Sequence, residues 1–137
     1  MSNITHTHAD SLIAAARQQA LKAGVTVAVA VVDAGGNLAA FSRMDGANLI
    51  TIDTAVGKAF TAVSIGADTV NLTAAIQPGA PLFGTGLTQA GARSFVPYAG
   101  GVVVRDGDTL LGAIGVSGAP SSDVDHEIGT AAVAQAG

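Results

Sequence analysis

The chain is 137 residues long, with 49% apolar side chains but only four Phe, one Tyr and no Trp. That length suits a single domain, residues 1–137, whose core must be built from Ala, Val, Leu and Ile. Ten acidic residues against six scattered basic ones give a net charge of −4 and exclude an electrostatic footprint for nucleic acid. The lack of Cys excludes disulfides, thiolate nucleophiles and cysteine-held metals.

The opening MSNITHTHADSL has neither the basic segment nor the apolar run of a signal peptide, and no apolar run is long enough to span a bilayer. A cytoplasmic protein without membrane partners is the expectation. Thr7 and Asp10 form a TxxD capping box for a first helix. Leu12, Ile13, Ala16, Ala20 and Ala23 recur at helical spacing, and Gly24 stands at the stop position. Val25 to Val32 is a β-branched run that reads as a buried strand. Asp33 to Asn37 is a hairpin loop, and Leu38 to Arg43 returns antiparallel.

Met44 to Ala47 turns into a second helix. On it Ile50, Thr54, Gly57 and Thr61 share one face, while Ile52, Ala55, Ala59 and Ala62 share another. Asp68 is placed to cap a short third helix ending near Ile76. Gln77 to Ala99 holds three of the four prolines and no clean period. Its hydrophobes Phe83, Leu87, Phe95 and Tyr98 suggest a loop that packs down as a lid, with room for a fifth short strand within Leu87–Phe95.

Val102–Val104 and Leu110–Val116 flank Asp106-Gly107-Asp108, a strong hairpin signal. Gly112, Gly115 and Gly118 recur every third residue along the second strand and its exit. Glycine there implies a backbone, helix or ligand at close range. A last helix runs from about Ser122 to Ala136. Two hairpins among helices make an antiparallel α+β layer rather than a doubly wound fold. A charge content of 12%, against about 25% in an ordinary domain, points either to a surface partly covered by another subunit or simply to a small-residue bias of the source genome.

Few residues carry chemistry. Lys58 lies in an otherwise apolar helix, so it must snorkel or meet an acid; an ion pair with an aspartate from a hairpin end is the simplest expectation. Arg43 and Lys58 suit a carboxylate or propionate. Asp123, Asp125, His126 and Glu127 crowd the start of the last helix, where acids are favoured in any case. His126 offers a ring nitrogen as base or ligand. His6 and His8 form only a weak pair in metal spacing, so no metal centre is expected. The glycines of Gly79–Gly91 match no phosphate-binding pattern.

Two motifs together resemble one family. The first is Arg43-Met44-Asp45-Gly46-Ala47 followed by Thr51-Ile52-Asp53-Thr54-Ala55, Lys58-Ala59 and Thr61-Ala62. The second is Gly100-Gly101, then Gly112 to Pro120, and Asp125. Their spacing is similar to that of the GlcG/HbpS family, which includes the C-terminal domain of PduO-type proteins. The resemblance implies a profilin-like fold, a five-stranded antiparallel sheet flanked by helices, in a homo-oligomer. It also implies a small-molecule ligand, haem or a related tetrapyrrole in some members, while other members belong to catabolic pathways.

On that resemblance Arg43, Asp45, Lys58 and Asp125 occupy the family's polar positions, and the lid residues Phe83 and Tyr98 would cover a macrocycle. No haem axial residue carries over, and His126 is not a family feature. A second reading is an enzyme, hydrolase- or isomerase-like, acting on a small carboxylate or semialdehyde. In it His126 or Asp125 handles a proton while Arg43 or Lys58 binds the acid.

Overall fold

The computed structural model describes residues 3–84, 88–90 and 93–137. Helix α1 (His6–Ala23) leads into strands β1 (Ala28–Asp33) and β2 (Leu38–Arg43), then helix α2 (Thr51–Ile65). Two 3-10 turns (Thr69–Leu72 and Ala74–Ile76) follow, then short strands β3 (Thr88–Ala90) and β4 (Arg93–Phe95). Strands β5 (Gly101–Asp106) and β6 (Thr109–Ser117) and helix α3 (Ser122–Ala136) complete the chain.

The main sheet is antiparallel throughout, in the order β2-β1-β6-β5. Among the described residues it holds four strands, not five. The stretch expected to hide a fifth strand carries a separate two-stranded ribbon, β3 with β4. That ribbon is drawn onto α2 instead of the sheet edge. The Val96 N–H donates to Thr61 Oγ1 at 2.8 Å, and Gly57 leaves the room that the Val96 side chain fills.

Period-two alternation sorts the sheet into two faces. Val29, Val31, Ile114, Val116, Val102 and Val104 pack with Leu12, Ala16 and Ala20 of α1 and with Ile128 and Ala132 of α3. The opposite face is nearly all alanine: Ala28, Ala30 and Ala113 meet Ala55, Ala59 and Ala62 of α2. Small residues on both sides let α2 lie very close. A Cβ on Gly115 would run into the Ala55 carbonyl oxygen and come within 2.7 Å of the Ala59 nitrogen. Gly112 and Gly118 are also closely approached, by the backbone oxygens of Val32 and, less tightly, Thr26. The three-residue glycine spacing therefore marks close packing, as its sequence position implies.

Several local expectations change. Thr5, not Thr7, caps α1, its hydroxyl accepting from the His8 N–H at 3.1 Å, so the helix begins before the TxxD box. Strand β1 starts at Ala28 because Val25 still belongs to the α1 exit, its N–H bonded to the Ala20 carbonyl. The third helix is reduced to the two 3-10 turns. The Asp68 carboxylate does not cap it but accepts from the Val103 N–H at 2.9 Å, a tertiary bond that outcompetes the local one. Phe83 is 57% exposed and does not pack down as a lid; Leu87 lies outside the described residues. No single described helix is long and apolar enough to cross a membrane.

Candidate functional site

Helix α2 carries a polar stripe at Thr51, Thr54, Lys58 and Thr61, spaced as one helix face. Thr51, Lys58 and Thr61 are buried. Where this stripe meets the end of β6 and the start of α3, an open cleft of about 400 Å³ forms. Its lining includes Thr54, Lys58, Tyr98, Ser117, Ser121 and Asp125.

Lys58 forms the floor. Its ammonium donates to the Val116 carbonyl and to Asp125 Oδ2, both at 3.0 Å, and the two charged side chains are only 5% and 4% exposed. The other carboxylate oxygen of Asp125 accepts from the Ala119 N–H at 3.0 Å. Asp125 lies in the first turn of α3, where the helix dipole favours an anion. Burial nevertheless pushes its carboxyl above the ordinary carboxylate range, opposed by the Lys58 ammonium and the Ala119 N–H. Burial likewise pushes Lys58 down from its ordinary value, against the pull of Asp125. Beside this pair, the hydroxyls of Thr54 and Ser117 lie 2.6 Å apart. Thr54 donates to the Ile50 carbonyl at 3.0 Å, so Ser117 supplies the proton between them.

The expected site residues divide. Lys58, Asp125 and Tyr98 come together in this cleft. Arg43 and Asp45 line another, of about 430 Å³, with Arg17, Leu21 and Met44; Arg43 is exposed there and donates to the Ala47 carbonyl at 2.9 Å. His126 lines neither cleft: its Nε2 sits 3.4 Å from the Thr130 hydroxyl, while its buried Nδ1 has no hydrogen-bond partner among the described residues. The partner of Lys58 comes from a helix start, not from a hairpin end. Among the described residues no group of three or more His, Asp or Glu is placed to hold a metal.

Thr54 and Ser117 are site residues that carry no charge or ring to mark them in the sequence. Two signals identify them: Thr54 precedes Lys58 by one helical turn, and Ser117 follows Gly115 and Ala113 on the α2 face of β6.

A family model described as HbpS-like, haem-degrading protein, matches residues 4–134. An uncharacterized 15.0 kDa protein in the dhaT–dhaS intergenic region of Citrobacter freundii is 37% identical over 118 residues, covering 86% of this chain and 82% of that one. Corrinoid adenosyltransferase PduO of the same organism is 37% identical over 123 residues, 90% of this chain, but only 36% of PduO is spanned. Among solved structures, a double mutant of Streptomyces reticuli HbpS superposes with a TM-score of 0.86 at 36% identity, over 100% of this chain and 89% of that one. The PduOC:haem complex superposes at 0.83 with 31% identity, over 96% and 94%.

Proposed function

This chain belongs to the HbpS-like family, and on that premise we propose that it is a small-molecule-binding protein whose ligand occupies the Lys58–Asp125 cleft. The observation that carries this reading is the cleft floor: a buried, mutually neutralising ion pair next to two coupled hydroxyls. A floor of zero net charge under a hydroxyl wall suits a short, uncharged, hydroxylated ligand. It does not suit a dicarboxylate or a phosphate, which would need a cation not already committed.

Haem enters through the relative solved as a haem complex. It asks for an iron ligand, an apolar slot and cations for its propionates. Here these requirements are split. Tyr98, a phenol, lines the first cleft, whose lysine is taken by Asp125; Arg17, Arg43 and the apolar Leu21 line the second. The Met44 thioether there already accepts from the Val27 N–H at 3.5 Å. Neither cleft of a single chain, as its described residues line it, fits haem.

The proposal extends to a cytoplasmic homo-oligomer of profilin-like chains, in which a tetrapyrrole site would need more than one copy. Exposed apolar side chains such as Leu49 (80%) and Leu21 (67%) support such an assembly. Light scattering is expected to give a mass several times 13.3 kDa; a monomer that still shifts the hemin Soret band sinks this part. For the cleft itself, ethylene glycol is expected to move the amide NMR signals of Thr54, Ser117 and Ala119. Shifts confined to other surfaces would overturn the assignment.

The alternative, an enzyme acting on a small carboxylate or semialdehyde through His126 or Asp125, has weaker support, because His126 is outside the cleft and the lysine that would bind the carboxylate is already paired with Asp125.

A further inference from the structure

We propose that Lys58 captures the carbonyl group of a small hydroxylated aldehyde or ketone as an imine, with Asp125 as its proton partner. This rests on the cleft being the ligand site and names the class of ligand that it takes.

The geometry of the amine carries the argument. A neutral lysine has two N–H bonds and one lone pair. Lys58 already has two acceptors, the Val116 carbonyl and Asp125 Oδ2, both at 3.0 Å. A neutral Lys58 keeps both hydrogen bonds and leaves its remaining tetrahedral corner for the lone pair. Nucleophile and hydrogen-bonding partner therefore coexist without breaking the pair.

Gly100 is what lets the lysine itself fit: a Cβ there would lie 2.9 Å from Nζ and 2.8 Å from Cδ. Lys58 nonetheless lines the cleft with Tyr98, Thr54 and Ser117. Burial favours the uncharged amine, the form that reacts.

The step balances. Lys58 first passes one ammonium proton to Asp125. Its lone pair then forms the N–C bond, the carbonyl π electrons move to oxygen, and that oxygen takes the proton from Asp125. A second N–H proton passes to Asp125. Asp125 returns that proton to the departing hydroxyl, which leaves as water. The product is a protonated imine, so the positive charge beside Asp125 survives and no carboxylate is stranded in the core. The remaining N–H keeps Asp125 as acceptor and releases the Val116 carbonyl. The Thr54 and Ser117 oxygens sit next to this point and accept from a hydroxyl on the carbon beside the carbonyl.

The test is reductive trapping. The chain has only two lysines, buried Lys58 and exposed Lys22, which serves as an internal reference. The folded protein is incubated with glycolaldehyde and sodium cyanoborohydride, and the modified residues are located by peptide mass mapping. The expected result is a hydroxyethyl group on Lys58 while Lys22 is still largely unmodified. Modification of Lys22 and other exposed amines with Lys58 untouched would overturn the proposal. The Lys58→Met/Asp125→Asn variant keeps the cleft without a buried charge and is expected to lose only the Lys58 adduct. Ethylene glycol separates the two readings: NMR shifts in the cleft without an adduct leave binding intact and remove the imine, whereas neither signal removes both.

Discussion

Lys58→Met is expected to lower the unfolding free energy by about 3–5 kcal/mol, because it leaves the Asp125 carboxylate buried without its counter-charge. Methionine keeps the apolar stem, so the loss reports charge and not packing. Adding Asp125→Asn, which still offers an oxygen to the Ala119 N–H, is expected to restore most of that loss. Chemical denaturation of the two single variants and the double variant measures both.

The sign of the pH dependence follows from the same pair. In Lys58→Met the burial that raises the Asp125 pKa persists, while the lysine that opposed it is gone. A raised folded-state pKa gives stability that is complete below the ordinary carboxylate value and is lost as pH rises through the higher one. The deficit of Lys58→Met against the parent is therefore expected to shrink on acidification and to grow toward neutrality. A deficit that widens in acid would show that Asp125 is not the group left uncompensated.

Gly115→Ala is expected to be comparably damaging, at about 3 kcal/mol, the upper end for overpacking. Its added methyl meets helix backbone, the Ala55 carbonyl and the Ala59 nitrogen, and backbone can yield only if α2 lifts off the sheet. Gly129→Ala provides the contrast. Its methyl lies 2.9 Å from the Val102 Cγ2, a side-chain atom that can turn away, and alanine gains helix propensity in α3. Urea midpoints should separate the two clearly. A near-neutral Gly115→Ala would contradict the close approach of α2.

The helices and the two hairpins are legible because their signals are local: apolar periodicity, Gly24 at a helix end, and Asp-Gly between valine runs. The segment between α2 and β5 is not, because its conformation is set by distant partners. Thr69 Oγ1 accepts from the Gly101 N–H at 2.8 Å, and Asp68 reaches Val103, so residues some thirty positions away decide it.

The site was half legible for the same reason. A lysine in an apolar helix announces that it needs an acid, but nothing local chooses Asp125, 67 positions on, over Asp33 or Asp45. Motif and charge type pair Arg43 with Lys58. The chain instead sets Arg43 at the end of edge strand β2, against Arg17 and Leu21 of α1.

Tyr98 is the single tyrosine in a chain without tryptophan, and it lines the cleft. The intrinsic near-ultraviolet emission of this protein thus originates almost wholly from one ring, 38% exposed, beside the proposed ligand. Occupancy of the cleft is reported by a native fluorophore, without a label, a substitution or an assay for turnover.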